Sequence, residues 1–147
     1  MTTGGGYAGR IVAGVDGSDS SLDALRWAIG HARRTGASVE AVTAWQPPTP
    51  YEWLPPAVDV DFAGGAHQIL ADALDAAGGP QPGVPVLRQV SQGHPAEVLI
   101  AASADADLLV LGCRGRRGFA SQLVGSVSLH CVMRAHCPVL VVKQRLD

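Results

Sequence analysis

The sequence predicts a single doubly wound α/β domain, with a five-stranded parallel sheet in the order 3-2-1-4-5 and helices on both faces. Two observations carry this. Five apolar runs alternate with four amphipathic stretches along the 147 residues, and strict strand–helix alternation favours a parallel sheet with right-handed crossovers. Hydrophobic residues make up 47% of the chain and charged residues 16%, a balance that buries one sizeable core without metals or disulfides.

The elements follow in order. Residues 1–9 are Gly-rich and polar, without the basic start and apolar centre of a signal peptide, and read as a flexible tail before a domain over 10–147. The first strand, Arg10 to Asp16, carries IVAGV and ends in an acid. Leu22, Leu25, Ile29 and Ala32 then recur at helical spacing. Ser20 and Asp23 have the spacing of a capping box, while Arg33, Arg34 and Gly36 mark the helix end. Ser38 to Trp45 is the second strand, and the Pro-rich stretch from Gln46 to Pro56 can continue neither kind of element.

A second helix carries Ala66, Ile69, Leu70, Ala73, Leu74 and Ala77 on one face and stops at Gly78-Gly79-Pro80. The third strand, Val84 to Val90, is interrupted by Pro85 and is expected at a sheet edge. Pro95 suits the first turn of a third helix that turns Ala96, Leu99 and Ile100 to the core. Leu108 to Leu111 is a continuous apolar run, as in a strand buried on both faces. Val124, Val127, Cys131, Val132 and Ala135 form a fourth helical stripe, and Pro138 to Val142 is the fifth strand.

Composition excludes several function classes. A formal net charge of −2 lacks the basic excess of a nucleic-acid coat, and no apolar run approaches the roughly 20 residues of a membrane span. The expectation is a cytoplasmic protein with neither nucleic acid nor membrane as partner. Cys113, Cys131 and Cys137 lack the spacing of a zinc site and read as buried reduced thiols. Cys113 is the exception, since backbone N–H groups of a glycine turn could activate it.

That turn carries the chemistry. Ligands of doubly wound sheets bind beyond the carboxyl ends of the strands, where strand order reverses. The segments expected there are Gly14-Val15-Asp16 and Gly112-Cys113-Arg114-Gly115, the latter leading through Gly118 to Gly125-Ser126-Val127-Ser128 at a helix start. Glycines admit a bulky anion and positive φ, and first-turn N–H groups favour negative charge. Ser126 and Ser128 add hydroxyls, and Arg114, Arg116 and Arg117 add cations suited to phosphates. Neither a Walker A loop nor a G-x-G-x-x-G fingerprint after the first strand is present. By spacing alone the segment is also compatible with a tight strand–helix connection.

The spacing G-x-x-G, nine residues, G-[ST] falls on Gly112, Gly115, Gly125 and Ser126. Together with VAGVDGSDSS ending at Ser21, GHPAEVLI at Gly93 to Ile100, ADLLVLG at Ala106 to Gly112 and CPVLVV at Cys137 to Val142, it resembles the ATP-binding-signature branch of the universal stress protein family over nearly the whole chain. The resemblance implies ATP, with or without Mg²⁺, as cofactor. Asp16, Gly14 and Val15 would border the adenosine, with the carboxylate near the ribose. Ala44 would meet the adenine edge through its backbone, and Leu111 and Gly112 would continue that wall. Arg114, Gly115, Gly125, Ser126, Val127 and Ser128 would hold the phosphates, largely through backbone N–H groups. The family more often has a larger aliphatic residue at Ala44, and a small hydroxyl residue at Cys113.

Other residues receive plainer readings. Asp16 could instead cap the following helix, although the adjacent serines are better placed for it. His31, His67, His94, His130 and His136 form no metal pair and stand beside no nucleophile. Trp45, Tyr51 and Trp53 fill space beneath a long loop or form a lid over a base. The apolar last strand is expected at the sheet edge, where a two-fold mate would cover it; the resemblance implies the same homodimer. The favoured function is an ATP-binding, nucleotide-responsive stress-response module, because no residue near the phosphates offers a general base. A slow ATPase or nucleotidyl-transferring enzyme, a cyclic-AMP binder and a ligand-free dimeric adaptor remain as alternatives.

Overall fold

A computed structural model describes residues 9–47, 61–113 and 125–143. Five strands, β1 (Arg10–Gly14), β2 (Ser38–Trp45), β3 (Val86–Gln92), β4 (Leu108–Gly112) and β5 (Val139–Val142), form one parallel sheet in the order β3-β2-β1-β4-β5. Four helices join them: α1 (Asp19–Thr35), α2 (Phe62–Ala76), α3 (Pro95–Ala102) and α4 (Ser126–Arg134). The fold class and strand order are those the sequence predicts. The order reverses between β1 and β4.

Period-two alternation divides the core in two. Ile11, Ala13 and Val15 of β1 and its end point to one face with Val39 and Ala41, where α1 and α2 cover them with Leu25, Ile29, Leu70 and Leu74. Val12, Val42, Leu109 and Leu111 point to the other, under Ala96 and Leu99 of α3 and Cys131 of α4. Glu40 is buried on this second face and ion-paired to Arg10, which supplies the partner that a buried charge requires.

Local chemistry sets the element ends. Ser18, with extended backbone, caps α1 by accepting from the Ser21 N–H at 3.2 Å. The capping-box expectation on Ser20 and Asp23 is therefore wrong: Ser20 lies inside the first turn and is buried. Gly36 (φ 81°) ends α1 in the left-handed region, with its N–H on the Ala32 carbonyl, which an L side chain would strain. Pro85 shifts the start of β3 to Val86; its carbonyl accepts from the Val39 N–H at 2.9 Å, and Val84 folds back onto Gln81. β3 is an edge strand, as the proline implied. Pro95 opens α3, and Nδ1 of His94 caps it by accepting from the Ala96 N–H at 3.2 Å, a structural role for that histidine.

The fourth helical stripe is only partly correct. Cys131 is fully buried and Val127 half-buried, but Val132 is 52% exposed, as are Leu129 (53%) and Met133 (75%). At positions i, i+3 and i+4 these three make an apolar face on α4 turned to solvent. Met1 to Ala8 of the expected tail lie outside the described residues, as does Val124 of the stripe. Gly9 instead accepts from the Ser38 N–H at 3.1 Å. No described helix is long and apolar enough to cross a membrane.

Candidate functional site

The ladder registers place the strand ends. Ala13 is level with Val110, and Gly14 with Val42. Continuing both registers by two or three residues brings Asp16, Ala44 and Cys113 to one level, at the carboxyl edge beside the reversal of strand order. Three sequence-distant segments named by the motif thus meet where doubly wound sheets hold ligands.

Two helix N-termini converge on the last residue of β4. A Cβ on Gly112 would stand 2.5 Å from the Ser20 carbonyl carbon and 2.7 Å from its oxygen, so only glycine lets the first turn of α1 pack this closely. From the other side, Ser128 donates its hydroxyl to the Gly112 carbonyl at 2.7 Å, and Gly125 donates its N–H to the Cys113 carbonyl at 2.6 Å. These bonds hold α4 against β4. The first-turn N–H groups of Ser126, Val127 and Ser128 have no acceptor within their own helix, and the dipoles of both helices favour an anion at this point.

This geometry changes several roles. The Ser128 side chain is 5% exposed and its hydroxyl proton is already committed, so only its backbone N–H suits a phosphate. The Gly125 N–H is likewise committed, and Gly125 has φ −73°. Neither Gly112 nor Gly125 is among the glycines at positive φ; what Gly112 provides is space. The Ser126 side chain is exposed. Val15 and Leu111 are buried in the two cores, and a Cβ on Gly14 would lie 2.8 Å from Leu111 Cδ2. These positions can face a ligand through main chain only. Cys113 is 4% exposed, which fits the reading of a buried thiol rather than the alternative of an activated one. Burial pushes Cys131 up to about 11, and burial followed by Asp107 raises Cys137.

Asp16 does not cap α1. Its Oδ1 accepts from the Ser18 N–H at 2.9 Å and from the Ser18 hydroxyl at 2.5 Å, while its own N–H donates to Ser21 Oγ at 3.3 Å. Sequence reasoning placed the cap among the adjacent serines but missed that Ser18 and Ser21 bond to Asp16; the D-x-S spacing across Gly17 was the available signal, since Asp forms such turns two residues on. Ala44 is half-buried. Arg114, Gly115, Arg116, Arg117, Gly118, Tyr51 and Trp53 lie outside the described residues. An open groove of about 400 Å³, lined in part by Arg10, Glu40, Gln89, Ser91, Val98 and Asp105, includes none of the site residues. Among the described residues, no group of three or more His, Cys, Asp or Glu side chains could hold a metal ion.

The model of the universal stress protein family matches residues 8–143. A universal stress protein of Mycobacterium tuberculosis is 36% identical over 137 residues, covering 92% of this chain and 46% of its own length. The chain thus spans about half the length of the first curated relatives it matches. One from Methanocaldococcus jannaschii is 33% identical over 147 residues, covering 92% of this chain and 82% of its own. Among solved structures, the universal stress protein UspA from Lactobacillus plantarum superposes with a TM-score of 0.71 at 25% identity, covering 92% of this chain and 98% of that one. A universal stress protein in complex with cAMP superposes at 0.67 with 30% identity, covering 91% and 96%.

Proposed function

The chain belongs to the universal stress protein family, and we propose that it binds ATP as a nucleotide-responsive stress-response module rather than as a fast enzyme. The observation that carries this reading is the convergence at the β1–β4 reversal: Asp16 level with Ala44, and the first turns of α1 and α4 meeting at Gly112. Asp16 would accept from the ribose hydroxyls and the Ala44 main chain would meet the adenine edge. Gly14, Val15, Leu111 and Gly112 would border the adenosine through backbone. The N–H groups of Ser126, Val127 and Ser128, with Arg114 and Gly115, would hold the phosphates. Any Mg²⁺ would arrive as the nucleotide's own counter-ion.

The segment from Cys113 to Ser128 contains no carboxylate and no histidine. Phosphoryl transfer requires a positioned base or water and bound metal, so hydrolysis at this site would be slow. The relative in complex with cAMP favours a second reading, in which a cyclic nucleotide uses only part of the anion site. Isothermal titration with ATP, followed by competition with cAMP, separates the two. Gly125→Ala should lower ATP affinity about tenfold by crowding the phosphate approach, while leaving the circular dichroism spectrum unchanged. Unaltered affinity in that variant removes the phosphate assignment.

A second copy of this chain is the proposed partner. Among the described residues β5 pairs only with β4, and its four residues are half-buried, apolar and at the sheet edge. α4, which packs on β5, carries an exposed apolar face of its own.

A further inference from the structure

We propose that Ser18 is a positioning residue that aims the Asp16 carboxylate and thereby sets the preference of this site for ligands with vicinal sugar hydroxyls. The inference rests on the nucleotide reading above. A serine acting only as a helix cap uses a hydroxyl lone pair and leaves its proton to solvent. Ser18 uses both: its Oγ accepts from the Ser21 N–H at 3.2 Å and donates to Asp16 Oδ1 at 2.5 Å. Its backbone N–H reaches the same oxygen at 2.9 Å.

The circuit closes through Ser21, whose hydroxyl donates to the Ser18 carbonyl at 3.0 Å and accepts from the Asp16 N–H at 3.3 Å. Gly17, at φ 85°, turns the chain back so that these groups meet. Two donors on one carboxylate oxygen restrain the rotation of the group, so Ser18 contributes to the direction of Oδ2. Asp16 stands at the end of β1 beside the reversal of strand order. In the nucleotide reading this carboxylate accepts from the ribose hydroxyls, and an acceptor held in place beforehand loses less freedom when it binds them.

The test uses the full chain and Ser18→Gly. Glycine is nearly as good a cap as serine and keeps the backbone N–H, so the hydroxyl alone is lost. Calorimetric titrations compare ATP with 2′,3′-dideoxy-ATP, which lacks both sugar hydroxyls. The expected result is a roughly tenfold fall in ATP affinity with the dideoxy affinity unchanged, and recovery of the preference in Ser18→Thr. An unchanged ATP-to-dideoxy ratio in Ser18→Gly overturns the proposal, as do equal affinities in the wild type. Failure of the wild type to bind ATP overturns the nucleotide reading and this inference with it. If Ser18→Gly does not melt as a folded protein, Ser18→Cys, which is close in shape but carries only a weak S–H donor, must show the same loss.

Discussion

The hydroxyl proton of Ser128 goes to the Gly112 carbonyl, 16 residues earlier in the chain. Ser128→Ala leaves that carbonyl without its donor in a buried setting and should destabilise the fold by about 1–3 kcal/mol, read from urea unfolding. Equal stability in the variant would show that the bond contributes nothing net. Cys131 links stability to alkaline pH. Its folded value, about 11, stands above the ordinary 9.0 because burial disfavours the thiolate. The protonated thiol therefore stabilises the native state fully below pH 9, and the contribution is lost as pH rises through 11, each unit being worth about 1.4 kcal/mol. The urea midpoint should decline between pH 9 and 11, less steeply in Cys131→Ala. Equal slopes in the two proteins would remove Cys131 as the cause.

At the scale of elements, two glycines have opposite meanings. Gly30 lies inside α1 with nothing within 4 Å of the place an added methyl group would take, whereas the same atom on Gly112 meets the Ser20 backbone at 2.5 Å. Gly30→Ala should stabilise by roughly 0.4–1 kcal/mol by restricting the unfolded chain. Gly112→Ala should cost about 1–3 kcal/mol, since α1 must move off β4. Thermal melts of both variants read the difference directly, and a melting point for Gly112→Ala at or above wild type would contradict the close packing. Helix ends were legible where one residue type forces the outcome, as with Gly36 and Pro95. The start of α1 was not, because Ser18, Ser20 and Ser21 are all competent caps and only the path across Gly17 selects Ser18.

For the whole molecule, the edge of β5 is where the proposed pairing of two copies would form. The carbonyls of Pro138 and Val142 accept from Leu109 and Cys113 of the β4 segment, so Val139 and Val141 direct their backbone groups outward. Val141→Pro removes one outward N–H without touching the β4 ladder, and proline is tolerated on an edge strand in that orientation. If two copies pair through β5, light scattering after size exclusion should show a dimer for the wild type and a monomer for Val141→Pro. A dimer that survives the substitution would shift the interface to the face of α4 formed by Leu129, Val132 and Met133.

Pattern alone determined the architecture. Alternating apolar runs, the unbroken Leu108 to Leu111 stretch and Pro85 at an edge are local statements about which faces are buried, and each survives in the folded chain. The spacing from Gly112 to Ser126 likewise marked the strand–helix connection that ends at the first turn of α4. Tertiary structure decided what each of those residues does. Whether Ser128 offers its hydroxyl to a ligand or to Gly112, and whether Val132 faces the core or solvent, depends on neighbours distant in sequence. In the folded chain Ser128 and Gly112 hold the first turns of α1 and α4 together, and it is on that convergence that the proposed anion site rests.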